Sequence, residues 1–212
     1  LELDIFGEIV AKIKQKTGLL VEASDALSNL DFFTSLSFLS TSLKWTRPQI
    51  DNSKAFIIRG GRHPVVELAL KNSGDNSFIS NDCDLSEKPN NILIVTGPNM
   101  AGKSTFLRQN ALISILAQIG SYVPCDFAHI GIIDQIFSRV GSSDDLSKGQ
   151  STFMVEMIET ASILQNATNS ALIIMDEVGR GTSTYDGLSL AWSILEHIHD
   201  KIKSRTIFAT HY

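Results

Sequence analysis

The chain has 212 residues, 43% of them hydrophobic and 19% charged, and a net charge of −5. This is the composition of a globular protein with core enough for one large domain, or for one domain and part of another. The acidic balance excludes a broad nucleic-acid surface on this segment, and no apolar run approaches the roughly 20 residues of a membrane span.

In chain order, Leu3, Phe6, Val10 and Ile13 recur at steps of three and four and predict a helix from Leu1 to about Lys16. Gly18 punctuates. Leu20, Ala23, Leu27 and Leu30, continued by Phe33, Leu36 and Leu43, predict a second helix, and Phe32 and Phe38 widen its apolar surface. The texture changes at Trp45 to Pro48, so residues 1–44 and 45–212 are read as separate units. Strand-like pieces follow at 55–58 and 64–67 and at Phe78-Ile79, with polar stretches at 71–77 and 81–91. Ile92 to Val95 is a strand, about Lys103 to Ile119 a helix stopped by Gly120, 135–140 a strand, and 141–150 a polar loop. A helix over 152–166, a strand over 171–175, a helix over 187–199 and a strand over 206–210 complete the chain. Strands alternating with helices imply an α/β fold with a mainly parallel sheet and helices on both faces. Cys83 and Cys125 have no metal-ligand spacing, and two cysteines in this length suit a reducing compartment. The chain starts without Met and stops directly after a strand-like run, and so reads as a piece of something longer.

The most informative stretch is Gly97-Pro98-Asn99-Met100-Ala101-Gly102-Lys103-Ser104-Thr105. It reads G-x-x-x-x-G-K-S between a strand and a helix, as a phosphate-binding loop requires. Its glycines let backbone N–H groups approach phosphate oxygens, Lys103 supplies charge to the β- and γ-phosphates, and the Ser104 hydroxyl is placed to ligate Mg²⁺. The helix that follows points its positive end at the same place.

The run Ala171 to Met175 is apolar without alternation and ends in Asp176-Glu177. Such a strand is buried on both faces of a parallel sheet, and ligands bind at the carboxyl ends of such strands. Asp176 is expected to hold Mg²⁺, directly or through water, and Glu177 to orient or deprotonate an attacking water, which makes water the phosphoryl acceptor. His211 also follows a strand. If that strand lies beside the one before the phosphate loop, the imidazole reaches the γ-phosphate. Ser151 and Thr152 precede a helix without a capping-box partner, since Met154 and Val155 stand where Glu or Gln would.

The motifs from Gly97 to Thr105, Ser151 to Met157, Asp176 to Gly187 and Ala209 to Tyr212, with Gly61-Arg62-His63-Pro64-Val65 upstream, together resemble the ATPase domain of the MutS family of DNA mismatch-recognition proteins. The resemblance runs from about Arg59 to the end. It implies an ABC-type P-loop ATPase that binds ATP with Mg²⁺ at two composite sites of a homodimer, preceded by the last part of a helical lever. By match, Lys103, Ser104, Asp176, Glu177 and His211 act in cis. Ser151 resembles the serine that crosses the dimer to the partner's γ-phosphate, although Leu146 to Gln150 also resembles a transporter signature loop and leaves Ser147 as the alternative. Phe78 resembles an aromatic that stacks on adenine, with ordinary packing as its other reading. Ala101 stands where the family often has Gly, so its backbone torsion is expected to be ordinary.

Function is then implied as well: ATP-driven dimer closure coupled to a clamp on mismatched double-stranded DNA through parts absent from this chain, with a MutL-type repair protein downstream, no membrane, and a cytoplasmic, nucleoid-associated setting. The alternatives are a MutS-related protein of recombination or ribosome rescue, a transporter nucleotide-binding subunit, and a folded scaffold without turnover.

Overall fold

The computed structural model describes residues 1–74, 78–86, 91–98, 101–140, 152–179 and 181–212. Its contacts divide the chain into two units, Leu1–Lys44 and Trp45–Tyr212.

The first unit is two helices, α1 (Glu2–Gln15) and α2 (Thr17–Ser42). The break lies at Lys16, whose φ of −106° and ψ of 8° leave helical geometry; Gly18, expected to punctuate, sits inside the first turn of α2. Acidic residues open α1 and lysines close it, in the sense that the helix dipole favours. On α2 the Phe32 and Phe33 rings meet edge to face, with centroids 5.5 Å apart.

The second unit contains β1 (Gln49–Asp51), β2 (Phe56–Gly61), α3 (Pro64–Asn72), β3 (Asn81–Asp84), β4 (Ile92–Val95), α4 (Lys103–Gln118), β5 (Phe127–Gly131), β6 (Ile136–Arg139), α5 (Thr152–Asn166), β7 (Leu172–Asp176), α6 (Thr184–His197) with a π turn at Ile198–Ile202, and β8 (Arg205–Ala209). The described residues form two four-stranded sheets. One, in the order β4-β8-β7-β6, is parallel throughout. The other, β1-β5-β2-β3, pairs β1 with β5 in parallel but β2 antiparallel to both β3 and β5. A single mainly parallel sheet therefore describes only half of the strand architecture.

Three local expectations change for physical reasons. Residues 64–67 are helical: His63, extended at φ −83°, caps α3 by accepting from the Val66 N–H, and Pro64 fills the first turn, where its missing N–H costs nothing. Burial pushes the His63 imidazole below its ordinary 6.5, and Nδ1, the acceptor, is a lone pair only in the neutral ring. Phe78-Ile79 is irregular, and the strand lies instead in the polar Asn81–Asp84, where only Cys83 turns inward.

The uninterrupted apolar run of β7 is explained by its two covered faces. Leu172 and Ile174 join Leu107, Ile113 and Ala117 of α4 and Phe56, Ile58 and Ile130 of the mixed sheet in one cluster. Ile173 and Met175 join Ile163 of α5, Ala191 and Ile194 of α6, Ile198 and Phe208 in another. Helices thus pack on both faces of the parallel sheet. Each fully buried side chain of this kind contributes roughly 1.5–3 kcal/mol. Arg205, the first residue of β8, also ties the amino end of that interior strand to its surroundings: its guanidinium donates to the carbonyls of Gly131, Ile132 and Ser170.

Candidate functional site

The parallel register brings the carboxyl ends of three strands into one row. Val95 is opposite Ala209, and Ala209 is opposite Asp176. The row continues past the strands, since Thr210 N–H donates to Val95 C=O at 3.0 Å and Glu177 N–H to Ala209 C=O at 2.9 Å. β8 lies between β4 and β7, so the residues after it face the loop that follows β4. This is the arrangement on which the reach of His211 depended.

Into this edge fall most of the candidate residues. Gly97 and Gly102 adopt φ of 142° and 89°, conformations open to glycine, and Ala101 is absent from the left-handed residues, as a Cβ favours. The Lys103 side chain, only 8% exposed, folds back and donates to the carbonyls of Gly97 (2.7 Å) and Pro98 (3.0 Å), with Nζ 4.0 Å from Glu177 Oε1. Ser104 Oγ donates to Asp176 Oδ2 at 2.5 Å, while Asp176 Oδ1 is buried with no hydrogen-bond partner among the described residues. Glu177 sits at φ 58°, left-handed for a residue with a Cβ, and its Oε1 meets His211 Nε2. Thr105 follows Ser104 in the first turn of α4. Asn99, Met100 and Ser151, as well as the alternative Ser147, lie outside the described residues.

Beside Lys103 a cleft of about 940 Å³ opens, lined by Gly102, Thr105, Phe106, Val66, Phe78 and Asp82 among others. Phe78 thus shares a cleft with the glycine-rich loop across the interval of sequence between them. An apolar wall with a few polar groups next to a cationic loop suits a flat, apolar-faced group joined to an anionic one.

Among the described residues no set of three or more His, Cys, Asp or Glu could hold a metal ion alone. Two adjacent hard oxygen donors, Ser104 Oγ and Asp176, are nevertheless what Mg²⁺ takes from a protein when phosphates and water supply the rest. The orphaned Asp176 Oδ1 fits the same ion. The cysteines play no part here: Cys83 and Cys125 are buried, and burial pushes both thiols up to about 12.

Two residues of the edge had no role in the sequence reading. Glu156, 5% exposed, accepts the Gly179 N–H on Oε1 at 2.5 Å, and Tyr212 Oη donates to the Gly179 carbonyl at 3.1 Å. A sequence signal for Glu156 exists: it shares the buried face of α5 with Thr160 and Ile163, at steps of four and three, where a lone carboxylate needs a partner.

The family described as MutS domain V matches residues 93–212, which is more than half of the chain. Proteins named DNA mismatch repair protein MutS are similar over the whole chain: 56% identical over 213 residues in a Ruegeria species, 58% over 212 in Dinoroseobacter shibae and 54% over 212 in Rickettsia prowazekii. The chain spans 24% of the length of each. No helix among the described residues is long and apolar enough to cross a membrane. The chain belongs to the MutS family.

Proposed function

We propose that residues 45–212 form an ABC-type P-loop ATPase and that the chain is the ATP-binding and hydrolysing part of a DNA mismatch-recognition protein. The observation that carries this reading is the convergence of Lys103, Ser104, Asp176, Glu177 and His211 on one edge of the parallel sheet. The name shared by the similar proteins favours mismatch repair over recombination, ribosome rescue or transport.

In this reading Lys103 releases the loop carbonyls and binds the β- and γ-phosphates, while loop N–H groups and the start of α4 hold the remaining oxygens. Ser104 and Asp176 would hold Mg²⁺, which neutralises phosphate charge when bound. Glu177 takes a proton from the attacking water, and His211, paired to Glu177, keeps that carboxylate oriented and reaches toward the γ-phosphate. Phe78 stacks on the adenine. The whole protein acts as a homodimer in which Ser151 of one copy completes the partner's site; it grips mismatched double-stranded DNA through other parts and signals to a MutL-type protein.

Steady-state hydrolysis by the native full-length protein tests this: phosphate release from ATP that requires Mg²⁺ and disappears on chelation supports it. Absence of any Mg²⁺-dependent release, with or without mismatched DNA, contradicts it.

A further inference from the structure

Gly179 stands two residues beyond Glu177, and both of its backbone polar atoms are held by side chains from other elements. Its N–H is bound by Glu156 of α5 and its C=O by Tyr212, the residue after His211. Gly179 itself has φ 92°, and an added Cβ would meet the Gly187 backbone at 2.9 Å, so the segment has little room to shift. Glu156 is braced in turn. Arg139, at the end of β6, approaches its other oxygen at 4.0 Å and binds Glu159 of the same helix at 3.0 Å. A buried carboxylate is costly unless it is paired and hydrogen-bonded, and this one spends its best bond on a backbone N–H.

Resting on the ATPase reading, we infer that Glu156 is a positioning residue for hydrolysis. Through Gly179 it fixes the left-handed backbone at Glu177, so that the orientation of α5 sets the aim of the carboxylate that activates water. Nucleotide binding, which uses Lys103, Ser104 and the loop, is separate from this contact.

The reach of the side chain matters more than its charge, which predicts an unusual order among variants. In the native full-length protein, Glu156→Ala lowers kcat about tenfold or more, since small misplacements of a catalytic group are costly. Its Kd for ATP and its KM stay within twofold of the wild type. Glu156→Asp keeps the charge but falls short of Gly179 by one methylene and is impaired similarly; Glu156→Gln keeps the acceptor and recovers most of the lost rate. Should Glu156→Ala not fold, the comparison of Asp with Gln carries the test. Wild-type turnover in the Asp variant, or loss of ATP affinity in step with kcat, overturns the role. A wild-type protein that neither binds nor hydrolyses ATP removes the ATPase reading first and this inference with it.

Discussion

Ser104 Oγ lies 2.5 Å from Asp176 Oδ2 although the residues are 72 positions apart, one in the first turn of α4 and the other at the end of β7. A hydroxyl and a carboxylate are joined there because α4 packs on the face of the sheet that carries Leu172 and Ile174.

This contact predicts a metal phenotype. Ser104→Ala should raise the Mg²⁺ concentration for half-maximal hydrolysis by about tenfold, the order expected for loss of one metal-site partner. A Mg²⁺ titration of the phosphate-release rate measures it, and an unchanged midpoint would separate Ser104 from the ion.

Glu177→Gln preserves size but cannot take a proton. It should keep ATP bound while turnover falls by about 10²- to 10⁴-fold, the range of a general base. Light scattering with ATP and Mg²⁺ should then show a dimer persisting in this variant and decaying in the wild type. Equal hydrolysis rates would remove Glu177 as the base.

His63 makes one contribution to stability depend on pH. Burial lowers its folded-state value below 6.5, so the unfolded chain takes up the proton first and stability falls as pH drops below that region. Protonation also fills the Nδ1 lone pair that caps α3. Between pH 7.5 and 5.5 urea unfolding should show a loss of up to about 1 kcal/mol from this cap. His63→Asn, which caps without titrating, should show a smaller pH-dependent loss.

How much of this was legible in sequence follows from how local each signal is. The loop from Gly97 to Thr105, the buried run into Asp176 and the helix over 152–166 depend on neighbours within a few residues, and the strands and helix stand where those local runs put them. The helix at Pro64 was missed because four apolar-rich residues match a strand, whereas the deciding feature is a histidine acting as a cap. The strand Asn81–Asp84 was missed because three of its four residues are polar; pairing with β2, not its own pattern, makes it a strand. Glu156 lies within the motif from Ser151 to Met157, but its partner is a backbone N–H 23 residues away, which local spacing does not identify.

Gly187 is a packing glycine. A Cβ there would sit 2.1 Å from Tyr212 Oη and 2.6 Å from the Gly179 carbonyl. Gly187→Ala should therefore cost about 1–3 kcal/mol in denaturant unfolding, as overpacking does. Gly18→Ala, with nothing within 4 Å and a helical position, should instead stabilise by roughly 0.5–1 kcal/mol.

The proposed function rests on nucleotide phosphate binding by the loop that ends in Lys103 and Ser104. Its most direct test is calorimetric titration of ATP with Mg²⁺ into the native protein and into Lys103→Ala. Micromolar binding in the first and a loss of at least about 100-fold in the second is the predicted result, equal to roughly 2.7 kcal/mol or more. Equal affinity in both would contradict the account.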